Sequence, residues 1–143
     1  MNNDLFQVLD NLWGPHTVDR FSSDGNAKCS RFNSRYWCRG AEAVNCFSQP
    51  WVGETNWWVP PPRLICKTIQ KSISEKANGT LVVPEWKSAP FWPLLYKDGH
   101  FASFLQDHIT FRGKNVTCAG RASIGLFNGS YDKLKIIAFK VRF

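Results

Sequence analysis

Cys29, Cys38, Cys46, Cys66 and Cys118, together with His16, His100 and His108, are the soft and imidazole ligands this sequence offers to a metal. Their spacing argues against such a site. No C-x-x-C pair occurs and the histidines are scattered, whereas zinc needs ligands clustered in sequence or gathered by the fold. No metal is expected. Five cysteines at irregular spacing also suit a secreted disulfide scaffold poorly. They read as reduced thiols of an intracellular protein, nuclear or cytoplasmic.

A second set of residues is fit to grip phosphate. Arg31, Arg35 and Arg39 fall in one stretch, Arg63, Lys67 and Lys71 in another, and Arg112, Lys114 and Arg121 in a third. In all, 18 Lys+Arg stand against 11 Asp+Glu, a formal net charge of +7. A basic surplus is consistent with an acidic partner, nucleic acid being the usual one. Arg63, Lys67 and Lys71 are spaced i, i+4, i+8 and would line one helix face. That stripe reads equally well as a solvated face or as a phosphate-tracking surface. Phe32, Tyr36 and Trp37 lie among the first positives, a mix that single-stranded nucleic-acid binders use for stacking. Aromatics are also common core filler.

These groups need elements to position them. Asp4 to Leu12 has apolar residues at helical spacing, and Gly14-Pro15 stops it. Thr17 to Phe21 reads as a short strand leading into the polar loop Ser22–Asn26. Ala43–Phe47 and Thr55–Val59 are further strand candidates, the latter ended by Pro60-Pro61-Pro62, which cannot continue a ladder. Leu64 to Ala77 is the strongest helix, with Asn78-Gly79 as its expected cap. Thr80–Val83 has the composition of a buried strand. Ser88 can cap a helix running through Phe91, Trp92, Leu94 and Leu95 with Pro90 in its first turn. Asp107–Phe111 and Leu134–Phe143 close the chain as strands.

Strands alternating with helices favour an α/β sheet with crossovers. In such sheets ligands sit at the carboxyl ends of strands. Three polar or kinked segments follow strands here: Phe21–Asn26, Phe47–Trp51 and Val59–Pro62. A chain of 143 residues suits one domain, residues 1–143. At 43% hydrophobic, with seven Trp and eleven Phe, it has ample material for a core. No run approaches the ~18–20 apolar residues of a membrane span, and the start does not read as a signal peptide. The sequons at Asn78, Asn115 and Asn128 therefore read as chance matches in turns.

The order of segments resembles the phage-type DNA adenine-N6 methyltransferase domain. The likeness is to the divergent form that follows the ribonuclease H region in tyrosine-recombinase (DIRS- or Ngaro-like) retrotransposon polyproteins. It is carried by residues 13–23 (WGPHTVDRFSS), 26–29 (NAKC), 31–37 (RFNSRYW), 43–51 (AVNCFSQPW), 56–61 (NWWVPP), 79–86 (GTLVVPEW) and 91–95 (FWPLL). It spans nearly the whole chain and is specific to the retroelement form.

The resemblance implies a Rossmann-like, methyltransferase-type sheet flanked by helices, with S-adenosylmethionine as the cofactor. The family hallmark is Asp/Asn-Pro-Pro-Tyr/Phe at the end of a strand. Its first side chain accepts hydrogen bonds from the target amine, and the first proline's carbonyl supplies a second acceptor. The aromatic stacks on the flipped base. The matching residues here are Val59, Pro60, Pro61 and Pro62. Valine accepts no hydrogen bond. By analogy with removal of an oxyanion-hole donor, the loss costs on the order of 10²–10³ in rate. Asn56 lies roughly 10 Å upstream along a strand, while Trp57 or Trp58 could stand in for the missing ring. On the cofactor side the resemblance points to Asp19, Phe21, Ser22, Ser23 and Asn26, then to Asn45 and Phe47. The glycine-rich turn is reduced to Gly25, and Asn45 stands where the family usually has Asp. The expected function is a catalytically degenerate methyltransferase-fold domain of a retrotransposon-derived protein. Its nucleic-acid contacts would come from Arg31, Arg35, Arg63, Lys67, Arg112 and Lys114. The alternatives are an active S-adenosylmethionine-dependent adenine-N6 methyltransferase and a structural spacer within a mobile-element polyprotein.

Overall fold

In the computed structural model, residues 3–22, 27–34, 39–112 and 135–143 are described. Helix α1 (Asn3–Trp13) leads into strand β1 (Val18–Ser22), followed by β2 (Arg31–Ser34), β3 (Ala43–Val44) and β4 (Thr55–Trp58). Helix α2 (Ile65–Glu75) then connects to β5 (Asn78–Pro84), followed by α3 (Trp92–Leu95) and the small hairpin β6 (Tyr96–Lys97) and β7 (His100–Phe101). Strands β8 (Leu105–Arg112) and β9 (Lys135–Val141) complete the order.

Seven strands form one mixed sheet in the order β3-β2-β1-β4-β5-β9-β8. Strands β3, β2, β1, β4 and β5 are mutually parallel, so their carboxyl ends share one edge. Strand β9 runs antiparallel to both β5 and β8, which places the end of β8 at that same edge. From β1 the chain steps outward through β2 and β3, then returns to the other side of β1 with β4 and β5. Strand order therefore reverses between β1 and β4, the position where open α/β sheets form a ligand crevice.

Both faces of the sheet are covered. On one, Trp58, Leu81, Ile137 and Phe139 pack with Ile65 and Ile69 of α2. On the other, Trp57, Val82, Ile136 and Ala138 pack with Leu5, Leu9 and Trp13 of α1. Gly79 permits the closest approach of β4 and β5. A Cβ there would lie 2.4 Å from the Asn56 carbonyl oxygen and 2.9 Å from the Trp58 ring.

Several expected elements are corrected. The strand expected over Ala43–Phe47 stops at Val44, because Asn45 turns left-handed (φ 61) and starts a 3-10 turn over Cys46–Ser48. Helix α2 ends on Lys76 (φ 52, ψ 46) rather than on Asn78-Gly79. Those two residues already pair with Thr55 and Asn56 as the start of β5. Ser88 caps no long helix: only Trp92–Leu95 is helical, after turns closed by Ala89 N–H to the Trp86 carbonyl and Trp92 N–H to the Ala89 carbonyl. Strand β2 escaped prediction because Asn33 and Ser34 look like loop residues, yet both are buried.

Candidate functional site at the carboxyl edge of the sheet

The polar and kinked segments singled out in the sequence do converge. Ser22 ends β1, Asn45 and Phe47 follow β3, and Val59–Pro62 follow β4, all along the carboxyl edge. Ser23, Asn26, Arg35 and Lys114 lie outside the described residues.

Val59 leaves β4 half-buried and packs against the apolar α1-face cluster that contains Trp57 and Val82. Pro60 is buried, while Pro61 is extended (φ −63, ψ 156) and opens a 3-10 turn over Pro62–Leu64. The Leu64 N–H donates to the Pro61 carbonyl at 2.9 Å. Three prolines at this point fix the strand exit and aim α2 back along the sheet. No side chain of the tetrapeptide offers a hydrogen-bond acceptor.

Neither neighbouring tryptophan is available to replace the missing ring. Trp57 and Trp58 are each 1% exposed, on opposite faces of the sheet. Trp51 is also fully buried, its indole donating to the Cys46 carbonyl at 2.9 Å. The expectation that Trp57 or Trp58 stacks on a base is therefore corrected: both sit within the core.

Asp19 lies inside β1, within the strand expected over Thr17–Phe21, and is 3% exposed. Its carboxyl oxygens accept the Phe21 N–H at 3.2 Å and the Lys28 N–H at 2.9 Å, tying the exit of β1 to the entry of β2. Burial pushes its pKa up to about 7 against the pull of those two amides. Phe21 and Phe47 meet edge to face at 5.7 Å between centroids, and Phe47 continues to Trp51 at 5.6 Å. The Lys67 ammonium sits 4.4 Å above the Phe47 ring. The Asn45 side chain accepts the Phe47 N–H at 3.2 Å, so its amide oxygen caps the turn. The two aromatic rings expected to hold a cofactor thus touch each other directly.

Arg20, which sequence reading passed over, is a buried cation held by three hydrogen bonds. At 3% exposure its guanidinium donates to Asn56 Oδ1 (2.8 Å), Asn33 Oδ1 (2.7 Å) and the Pro50 carbonyl (3.1 Å). Burial lowers its pKa. The Asn56 amide in turn donates to the carbonyls of Trp51 and Asn78. Asn56, the nearest amide to the Val59 position, is thus committed to internal bonds spanning β2, β1, β4 and β5.

The fold sorts the basic residues between two edges. Arg31 stands at the amino edge, where it donates to Glu42 at 2.9 Å and to Glu54 at 2.8 Å. Those bonds, with Glu54 the larger influence, raise its pKa further. Lys71 pairs with Glu75. Arg63 and Lys67 instead flank the proline turn, and Arg112 ends β8 opposite Lys135, the first residue of β9. Lys87 follows β5, and Lys135 lies 3.5 Å from Glu85. Trp86, beside them, is 40% exposed. Phe32 is buried in β2, so it is no stacking platform, and Tyr36 and Trp37 lie outside the described residues.

Among the described residues no group of three or more His, Cys, Asp or Glu is placed to hold a metal, and no helix is long and apolar enough to cross a membrane. Burial pushes the Cys29 and Cys46 thiols up to about 12, which keeps them protonated. Compared with known proteins, the chain matches no protein-family model and no curated sequence.

Proposed function

We propose that this chain is a methyltransferase-fold domain of retrotransposon origin whose catalytic motif has degenerated and which contacts nucleic acid through the carboxyl edge of its sheet. The observation that carries the reading is Val59: a side chain packed against an apolar cluster stands where an amine acceptor is required. The strand order β3-β2-β1-β4-β5-β9-β8, with only β9 reversed, supports a Rossmann-like, methyltransferase-type sheet. The proline turn lies beside β1 at the reversal of strand order, where S-adenosylmethionine and a base would meet in an active enzyme. Contact between Phe21 and Phe47, and the commitment of Asp19 to two backbone amides, support loss of the cofactor slot. The competing reading, an active adenine-N6 methyltransferase, draws on the retained Pro60-Pro61 pair.

Arg63, Lys67, Lys87 and Arg112 along one edge, with exposed Trp86 among them, support the nucleic-acid half of the reading: cations for phosphate and an indole for a base. The test is fluorescence anisotropy with single- and double-stranded DNA across a salt series. Affinity falls steeply with salt. Replacing Arg63, Lys67 and Arg112 by alanine flattens the log–log slope by roughly 0.7–0.9 for each lost phosphate contact. Arg31→Ala, at the opposite edge, leaves the slope unchanged. No binding at low salt, or a flat salt dependence, would leave only a structural spacer.

A further inference from the structure

A buried relay on the α1 face has no part in the proposed function. The His16 side chain is 0% exposed and packs beside the contacting rings of Phe6 (5.9 Å) and Trp57 (5.1 Å). Its Nδ1 is 2.7 Å from Asp10 Oδ1 and its Nε2 is 2.6 Å from Thr80 Oγ1. A carboxylate can only accept, so Nδ1 carries the proton and donates to Asp10, while Nε2 accepts the Thr80 hydroxyl proton. A carboxylate–imidazole–hydroxyl series is the arrangement that activates a nucleophile. Thr80, however, is 0% exposed in the middle of the sheet and meets no substrate. What the relay joins is the last turns of α1 to the interior strand β5.

The described charged groups around the ring are few. Asp10 comes from α1, and its Oδ1 also accepts the His16 backbone N–H at 2.8 Å. Arg142, beyond β9, donates to the Trp13 carbonyl at the end of α1. Lys140 of β9 stands opposite Thr80, with Asp107 of β8 beyond it, and Asp19 lies beyond Trp57 in the same cross-strand row.

We propose that His16 is a pH-sensitive latch: a proton gained from solvent at Nε2 reverses the Thr80 hydrogen bond and loosens α1 from the sheet. Burial and Arg142 oppose the imidazolium while Asp10 favours it, and burial prevails, holding the pKa below its ordinary 6.5. A group with a lowered folded pKa of this type supports the fold above pH 6.5 and withdraws that support as pH falls through the folded value. Release uncovers Leu5, Leu9, Trp13 and Trp57. Asp19 takes up its own proton over the acid side of pH 7, which strengthens the sheet as α1 loosens. The opening is therefore local to α1.

Hydrogen exchange of the full chain between pH 7.5 and 4.5, corrected for intrinsic rates, tests the latch. Protection of α1 amides falls by up to tenfold per pH unit across a decline that starts near 6.5 and levels off at the lower pKa of the folded His16, while β5 and β9 stay protected. In His16→Gln that pH dependence is lost. The same decline in His16→Gln, or parallel decline in α1 and β9, would overturn the proposal. If His16→Gln does not fold, Asp10→Asn decides: it keeps both accepted bonds but removes the charge, and the midpoint moves to lower pH. An unmoved or higher midpoint contradicts the latch.

Discussion

Replacing Asp19 with asparagine isolates one buried carboxyl and its contribution to pH dependence. In the unfolded chain this group titrates near 3.8; in the fold burial pushes it up to about 7. The folded state therefore holds its proton more tightly than the unfolded state. Between those values a rise in pH ionises the unfolded chain first, so stability falls as pH increases and is flat outside the window. At about 1.4 kcal/mol per unit, a separation of about three units amounts to roughly 4 kcal/mol. Asp19→Asn keeps the shape and one of the two accepted N–H bonds but removes the titration. Urea denaturation of both proteins from pH 4 to 8 is the assay, and their difference cancels His16 and every other shared group. The variant gains roughly 4 kcal/mol on the parent protein across that range. A difference that stays constant, or that moves in favour of aspartate as pH rises, would refute the reasoning. Such a result would mean that the Phe21 and Lys28 amides outweigh burial and keep the group ionised.

Two further substitutions probe what positions the site. Gly79→Ala forces a methyl to within 2.4 Å of the Asn56 carbonyl oxygen, an immobile backbone atom. We expect a loss of about 1–3 kcal/mol or more in urea denaturation, and a neutral outcome contradicts the close approach of β4 and β5. Arg20→Met strands acceptors on Asn33, Asn56 and Pro50. The expected loss is on the order of 3–5 kcal/mol, and a loss below about 1 kcal/mol would show that the network is dispensable.

The parts of this fold written in apolar patterning were legible from the chain alone. The periodicity of α1, the helical run after the prolines and the aliphatic β5 all announce themselves locally. The parts missed are those whose stability is non-local. Strand β2 is held by Asn33 reaching Arg20 on the next strand, and no local pattern reveals that partner. The left-handed turn at Asn45 shortens β3 for a reason visible only as a backbone angle. The candidate site was partly legible: the convergence of residues after β1, β3 and β4 follows from strand order once the strands are known. The availability of Trp57 and Trp58 was misjudged because burial depends on α1 and α2 covering both faces. The basic residues looked scattered in the sequence; parallel strands gather Arg63, Lys67 and Arg112 at one edge and leave Arg31 at the other.

The central claim is that the edge carrying Phe21, Phe47 and Val59, with Asp19 buried behind it in β1, no longer works as a methyltransferase site. Isothermal titration of the protein with S-adenosylmethionine tests it most directly. The account predicts no binding tighter than roughly millimolar, ~4 kcal/mol, because Phe21 and Phe47 already occupy each other and Asp19 is committed to backbone amides. Micromolar binding, accompanied by methyl transfer to DNA, would contradict it.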